Sequence, residues 1–309
     1  MKEKAIKKKT ERIVVILGPT TVGKSALAVR LARRFRGEII SADSRQVYRG
    51  LDIGTGKMTK RERRGVPNHL LDVASPAQQF SVAKFQELAR KKIKEIAARG
   101  KLPIVAGGSG LYINAILGIL TLPAVHPNPT LRAKLARKST EELFALLARM
   151  DPRRARRIDP KNPRRLIRAI EIAEELGSVP PLRYSISPKF RPIWIGLTLP
   201  PETLKKKIVI RLFARMGEGM EREVRRLHEK GLSWRRMEAL GLEYRYVSRY
   251  LRGLLTKEAM IERLQTEIWR YAKRQMTWFR RNARIKWFRP NEHAAITEEA
   301  ARFLNDKNL

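Results

Sequence analysis

After a lysine-rich lead, the chain reaches an unbroken apolar run, Ile13-Val14-Val15-Ile16-Leu17. A short run of mostly β-branched residues predicts a strand buried on both faces. An amphipathic stretch from Ala26 to Phe35 reads as a helix, and Glu38-Ile39-Ile40-Ser41 as a second strand. Leu70-Leu71-Asp72-Val73 predicts a third, short strand and Leu102-Pro103-Ile104-Val105-Ala106 a fourth. Between these two, Ser81 to Arg99 carries apolar or small residues at Val82, Phe85, Leu88, Ala89, Ile93, Ile96 and Ala97, a helical spacing. Strands alternating with helices predict a parallel sheet covered on both faces. Loops at the carboxyl ends of its strands then gather in one cleft.

The pattern changes after Leu122. Pro123, Pro127 and Pro129 punctuate a boundary, and helical periodicity runs from there to about Leu176, with Pro180, Pro181, Pro188 and Pro192 marking the exit. Residues 131–170 hold 13 Lys or Arg against 4 Asp or Glu, a net +9 for the segment. The strand-like run Pro192 to Thr198 then returns the chain to the sheet, so this basic helical segment is an insertion. The predicted organisation is a sheet domain over 1–122, a helical insertion over 123–192 and a completion of the sheet domain with C-terminal helices over 193–309. In that last part, Met260, Ile261, Leu264, Ile268, Ala272, Met276 and Phe279 form an apolar helical stripe. Arg263, Arg270, Arg274 and Arg281 fall roughly opposite it, either a solvated face or a surface for a polyanion.

The chemistry begins directly behind the first strand. Gly18-Pro19-Thr20-Thr21-Val22-Gly23-Lys24-Ser25 is a complete G-x-x-x-x-G-K-S phosphate loop in a strand–loop–helix context. Its glycines let backbone N–H groups surround a pyrophosphate, Lys24 supplies positive charge, and the Ser25 hydroxyl is placed to ligand Mg²⁺. Asp43, at the end of the second strand, can ligand Mg²⁺ through water, take a proton from a nucleophile, or simply cap the turn that follows. The best apolar strand ends not in an acidic residue but in Gly107-Gly108-Ser109-Gly110, with Asp72 as the substitute nearby. This disfavours a motor or switch ATPase and leaves room for a loop that holds a departing pyrophosphate. Ser109 can hydrogen-bond a substrate. In the insertion, Asn162-Pro163 followed by Arg164, Arg165 and Arg168 sets guanidiniums at a helix start, suited to phosphates or a splayed base.

Composition sharpens the partner. Against 30 acidic residues stand 67 Lys and Arg, a formal net charge of +37. Such an excess favours salt-sensitive association with nucleic acid. No apolar run approaches the roughly 20 residues of a membrane span, so no membrane partner is expected. The absence of cysteine removes disulfides, thiolate zinc sites and thiol nucleophiles, and fits a cytoplasmic protein. The four histidines show no metal-ligand spacing.

In order along the chain, GPTTVGKS, ISADSRQVYRGLDIGTGK (40–57), LLDVASP (70–76), VAGGSGLY (105–112), NPRRLIRAIE (162–171) and YAKRQMTWFRR (271–281) resemble the tRNA dimethylallyltransferase family over residues 12 to 290. The resemblance implies a phosphate-loop NTPase-like fold with an inserted all-helical domain. It implies transfer of a dimethylallyl group from dimethylallyl diphosphate to the exocyclic amine of the adenosine just 3′ of the anticodon, with Mg²⁺. By it, Asp43 is the general base and Ser109, where threonine is usual, a catalytic hydroxyl. Residues 18–25 and Arg211 hold the pyrophosphate. Ser44, Arg45, Gln46, Arg132, Arg164, Arg165 and Arg168 meet the anticodon stem-loop of tRNA. Oligomeric state is open, and a protein that encloses a tRNA arm can act as a monomer. Two departures stand out: Ile268-Trp269 occupies the place of a Thr-Arg pair, and Leu242-Glu243 separates Gly241 from Tyr244. A small-molecule or nucleoside kinase and a noncatalytic RNA-binding protein are the competing readings.

Overall fold

The computed structural model describes residues 10–120, 122–181 and 189–306. It divides into two compact units, Met1–Ile119 with Ile186–Leu309, and Leu120–Ser185.

The first unit is built on a wholly parallel sheet. In chain order its first half runs β1 (Glu11–Leu17), α1 (Lys24–Arg34), β2 (Gly37–Ser41), α2 (Lys60–Arg63), β3 (Asn68–His69), α3 (Val82–Ala98), β4 (Leu102–Gly107) and α4 (Gly110–Ile116). The second unit holds α5 (Pro129–Leu135), α6 (Thr140–Met150), α7 (Pro152–Ala155) and α8 (Pro163–Leu176). The first unit resumes with β5 (Phe190–Leu197), α9 (Pro201–Glu218), α10 (Met220–Glu229), α11 (Trp234–Leu240), α12 (Leu242–Leu251), α13 (Lys257–Phe279), β6 (Lys286–Phe288) and α14 (His293–Asn305). The strand order is β3-β2-β4-β1-β5-β6. The expected α/β sheet flanked by helices, with a helical insertion and a helical C-terminal region, is therefore what the chain forms.

Alternation along β1 builds the two sides of the core. Ile13, Val15 and Leu17 face a large cluster that includes Phe85 and Ile93 of α3, Leu212 of α9 and Leu264 of α13. Val14 and Ile16 face a smaller one with Leu27 and Leu31 of α1 and Ile296 of α14. The second unit has its own core, in which Leu143 and Leu147 of α6 meet Leu166 and Ile170 of α8.

Three expectations need correction. Leu70 to Val73 is not a strand: pairing with β2 stops at His69, and Leu70 (φ 63°) and Asp72 (φ 59°) are left-handed, which breaks extended backbone. Pro192 lies inside β5, opposite Ile13, rather than in the exit from the insertion, so residues 190–192 belong to the sheet. Proline is tolerated there because pairing with β6 begins only at Ile195. Finally, α13 ends at Phe279, so Arg281 lies beyond the helix whose arginine face it was expected to extend. Pro188 lies outside the described residues.

Candidate active site

The carboxyl ends of β1, β2 and β4 stand side by side, with Ile16 and Ser41 both in register with Ala106. The three loops that follow therefore share one wall of a cleft, as the doubly wound topology dictates. After β1 the phosphate loop turns through Gly18 (φ 144°), Thr21 (φ 70°) and Gly23 (φ 102°), and α1 starts at Lys24. Gly18 is required, since a Cβ there would strike the carbonyl oxygen of Leu197.

A cavity of about 80 Å³ is lined by Thr20, Thr21, Lys24 and Ser25 of this loop, Asp43 and Gln46 after β2, Gly107 and Gly108 after β4, Arg211 of α9, and Tyr271 and Gln275 of α13. Behind the loop lies a groove of about 930 Å³ that shares Thr21, Lys24, Ser25, Gly56, Met58 and Arg211 with it. Arg30, Arg33, Lys57, Arg64 and Arg215 also line the groove against Asp52, Glu62 and Glu218, so the groove is net cationic.

The electrostatics follow from that crowding. Lys24 Nζ donates to the Pro19 carbonyl at 2.5 Å. Burial, then the repulsion of Arg211, lower its pKa to about 7, with Asp43 acting the other way. Arg211 is itself lowered to about 10 by burial and the neighbouring Arg215, against the pull of Glu243, Glu62 and Asp43. Burial raises the Glu243 carboxyl, and its ion pair with Arg215 at 3.1 Å opposes this. Burial also raises the Tyr271 phenol, with Asp43 adding to the effect. An anion bound here would relieve several cations at once.

Asp43 is both a turn cap and a cavity group. Its Oδ1 accepts from the backbone N–H groups of Arg45 (2.8 Å) and Gln46 (3.3 Å), while Oδ2 has no hydrogen-bond partner among the described residues. Ser109 Oγ accepts from Ser44 N–H at 3.2 Å and interacts with Tyr271, which ties the loops after β2 and β4 together. Gln46 is held by Ser41, whose hydroxyl donates to Gln46 Oε1 at 3.0 Å. Asp72, the sequence's substitute acid, is instead tied to Lys57, which also pairs with Asp52, and it lines neither space.

The second unit presents its arginines unequally. Arg164 and Arg165 are exposed at the start of α8, where Asn162 Oδ1 accepts from Arg165 N–H at 3.2 Å. Arg132 instead grips the buried Glu171 with two bonds of 2.6 and 2.7 Å, and Arg168 joins it at 3.1 Å while donating to the Val125 carbonyl. Burial is the largest single effect on this carboxylate and raises its pKa, but the two guanidiniums and the Asn128 N–H together hold it below the ordinary value.

Several site residues escaped the sequence reading. Arg215 is one helical turn from Arg211, and that i, i+4 spacing was the available signal. Gln275 accepts from Thr20 N–H at 2.8 Å and donates to the Gly108 carbonyl at 2.8 Å, bridging the loops after β1 and β4. Its signal was a polar residue buried on an otherwise apolar helix face. The Ile268-Trp269 departure is now explained locally. Ile268 packs in the core, Trp269 lies beneath Lys273 (5.7 Å to the ring centroid), and Arg270 is paired with Glu267 at 2.6 Å. Arg270 does not replace the missing arginine.

Among known proteins, the IPP transferase family model matches residues 46–282. The tRNA dimethylallyltransferase of Thermomicrobium roseum is 42% identical over 308 residues, covering 97% of this chain and 94% of its own length. That of a Roseiflexus species is 45% identical over 294 residues, 94% and 96% of the two chains. The crystal structure of the full-length tRNA isopentenylpyrophosphate transferase of Bacillus halodurans superposes with a TM-score of 0.72 at 38% identity, covering 96% of this chain and 97% of that one. A eukaryotic dimethylallyltransferase described as acting on tRNA gives a TM-score of 0.80 at 25% identity, over 96% and 80% of the two chains.

Proposed function

The chain belongs to the IPP transferase family, and from that premise we propose the reaction its cavity performs. The enzyme transfers a dimethylallyl group to tRNA. The donor is dimethylallyl diphosphate, and the acceptor is the exocyclic amine of the adenosine 3′ to the anticodon. The observation that carries this reading is the meeting of Lys24, Ser25, Asp43 and Arg211 around one small cavity.

The chemistry suits an allylic donor. As the bond between C1 and the diphosphate oxygen breaks, its electron pair leaves with the diphosphate and positive charge spreads over the allyl group. Stabilising the leaving group is then the main catalytic task. Pro19 has no N–H and Gln275 takes that of Thr20; the other backbone N–H groups of the phosphate loop surround that leaving group together with Lys24 and Arg211. The adenine amine forms the new C–N bond and loses a proton, which Asp43 accepts through the oxygen not committed to the turn. A stacked base cannot reach this cavity, so the adenine is flipped, with Ser44, Arg45 and Gln46 beside it and Ser109 ordering the wall behind Ser44.

Mg²⁺ fits the donor set: the Ser25 hydroxyl lines both spaces at the start of α1, and diphosphate oxygens would complete a hard-oxygen shell. When bound, it neutralises charge on the departing diphosphate. Ser25 would be its protein ligand at the start of α1. Arg164 and Arg165 contact the RNA backbone directly, while Arg132 and Arg168 support that surface through Glu171. We read the enzyme as acting as a monomer. We propose the cytoplasm as its location, where a tRNA substrate would be met. No helix among the described residues is long and apolar enough to cross a membrane.

The test is incubation with Mg²⁺, dimethylallyl diphosphate and an anticodon stem-loop bearing adenosine 3′ of the anticodon, read by nucleoside mass spectrometry. The expected product is that adenosine carrying one dimethylallyl group. Asp43→Ala removes both the base and the turn cap. Asp43→Asn keeps the cap and still lowers kcat by about 10²- to 10⁴-fold. Equal turnover by Asp43→Asn and the parent enzyme would remove Asp43 as base. A phosphorylated product with ATP, and no prenylated one, would favour a kinase.

A further inference from the structure

Glu223 on α10 lines neither cavity and is only 3% exposed. A carboxylate so buried persists only if its lone pairs are occupied. Here Oε2 accepts the N–H groups of Asp52 (3.0 Å) and Ile53 (2.8 Å), and Oε1 accepts Gly54 N–H (3.0 Å) and the Tyr244 hydroxyl (2.7 Å). Three successive N–H groups turned onto one carboxylate form an anion nest made with the protein's own side chain. Tyr244 closes it from α12 and packs flush on the loop, since a Cβ at Gly54 would lie 2.7 Å from its ring.

What the nest holds leads straight to the site. The Gly54 carbonyl accepts from Arg215 Nη1 at 3.3 Å, and the Gly56 carbonyl from Arg211 Nη2 at 3.4 Å. Gln46 Nε2 reaches the Thr55 and Gly56 carbonyls, both at 3.4 Å. A Cβ at Gly56 would collide with both guanidiniums, so loop backbone and arginines are fitted without slack. Long cationic side chains in a crowded positive cavity repel one another, and only neighbouring acceptors fix where their charge points.

We infer that Glu223 is a positioning residue for the leaving group: by clamping Asp52–Gly54 it sets the loop carbonyls that hold Arg211 towards the diphosphate, with Arg215 anchored beside it on the same loop. This rests on the placement of diphosphate beside Arg211 proposed above. Glu223 touches no substrate and acts only through the loop.

The test is binding of inorganic diphosphate with Mg²⁺ by calorimetry, alongside steady-state kinetics with the stem-loop. Glu223→Gln turns an NH₂ group towards backbone donors and opens the nest. It is expected to weaken diphosphate binding about tenfold or more and raise KM for dimethylallyl diphosphate in parallel, with KM for RNA within about twofold. Tyr244→Phe keeps the carboxylate and its three N–H partners and is expected to weaken diphosphate about two- to fivefold. A merely structural role would lower kcat with the folded fraction and leave both KM values alone, which overturns the inference. Unchanged diphosphate affinity in Glu223→Gln overturns it too. If that variant does not fold, unchanged affinity in Tyr244→Phe does the same. Diphosphate binding is read without turnover, so an enzyme that binds diphosphate but never prenylates RNA would sink the proposed reaction while leaving Glu223 testable. Normal prenylation with indifferent Glu223 variants would sink only this inference.

Discussion

Binding of diphosphate should pull a proton out of solution onto Lys24. The lysine has a pKa of about 7 because it is buried beside Arg211. A bound dianion reverses both causes and returns the ammonium towards its ordinary value of about 10.4. At pH 8 a group with a pKa of about 7 carries about 0.1 proton in the free enzyme and about 1 in the complex, an uptake of about 0.9. At pH 6 the free lysine is already about 90% charged, and the uptake falls to about 0.1. The affinity should correspondingly fall about tenfold per pH unit above 8, as the proton must be supplied from ever scarcer solution. Calorimetry with inorganic diphosphate and Mg²⁺ in two buffers of different ionisation enthalpy reads the protons directly. Lys24→Arg is the reference, because a guanidinium stays charged throughout and the titration of diphosphate itself cancels between the two proteins. The same proton count in both proteins at pH 8 would refute the reasoning, since it would mean that Lys24 is charged before the anion arrives.

Other outcomes follow from contacts already described. Glu171→Ala leaves Arg132, Arg168 and the Asn128 N–H without their shared acceptor, and should destabilise the second unit by about 3 kcal/mol in hydrogen exchange of α5 to α8; a loss under about 1 kcal/mol would show the cluster to be ornamental. Gln275→Leu strands Thr20 N–H and the Gly108 carbonyl, and should cost about 2 kcal/mol of unfolding free energy while weakening diphosphate binding. Arg164→Gln and Arg165→Gln should each weaken stem-loop binding uniformly across sequences and flatten the log–log salt dependence by about 0.7 to 0.9, whereas an unchanged slope would remove these side chains from the RNA contact.

The parts of the molecule that could be read from sequence are those whose physics is local. The phosphate loop, β1, β2 and β4 and the helix starts at Ser81 and Asn162 each announce themselves within a few residues. Asp43 was legible because a strand delivers it to the sheet's carboxyl edge. Leu70 to Val73 misled because its apolar content serves burial of Leu70 in a left-handed turn, and composition does not encode φ. Arg132 and Arg168 were named for RNA contact by their matching positions, but their shared pairing with Glu171, 39 residues from Arg132, was not legible. Glu223 was invisible for the same reason, its Gly54 partner lying 169 residues away. Gln275 showed only as a polar interruption of an apolar stripe, and that pattern does not reveal a partner 255 residues away.

The bridge made by Gln275 also bears on how the protein comes into being. A ribosome delivers the phosphate loop, Asp43 and Ser109 early, but the residues that fasten them together arrive with α9, α10 and α13. A nascent chain that has released only its first half therefore displays the motif without a working site. Premature termination before α13 yields fragments that carry the recognisable signature without the bridge that completes the site. Single-turnover activity on stalled chains of increasing length should switch on only after residue 275 has cleared the exit tunnel.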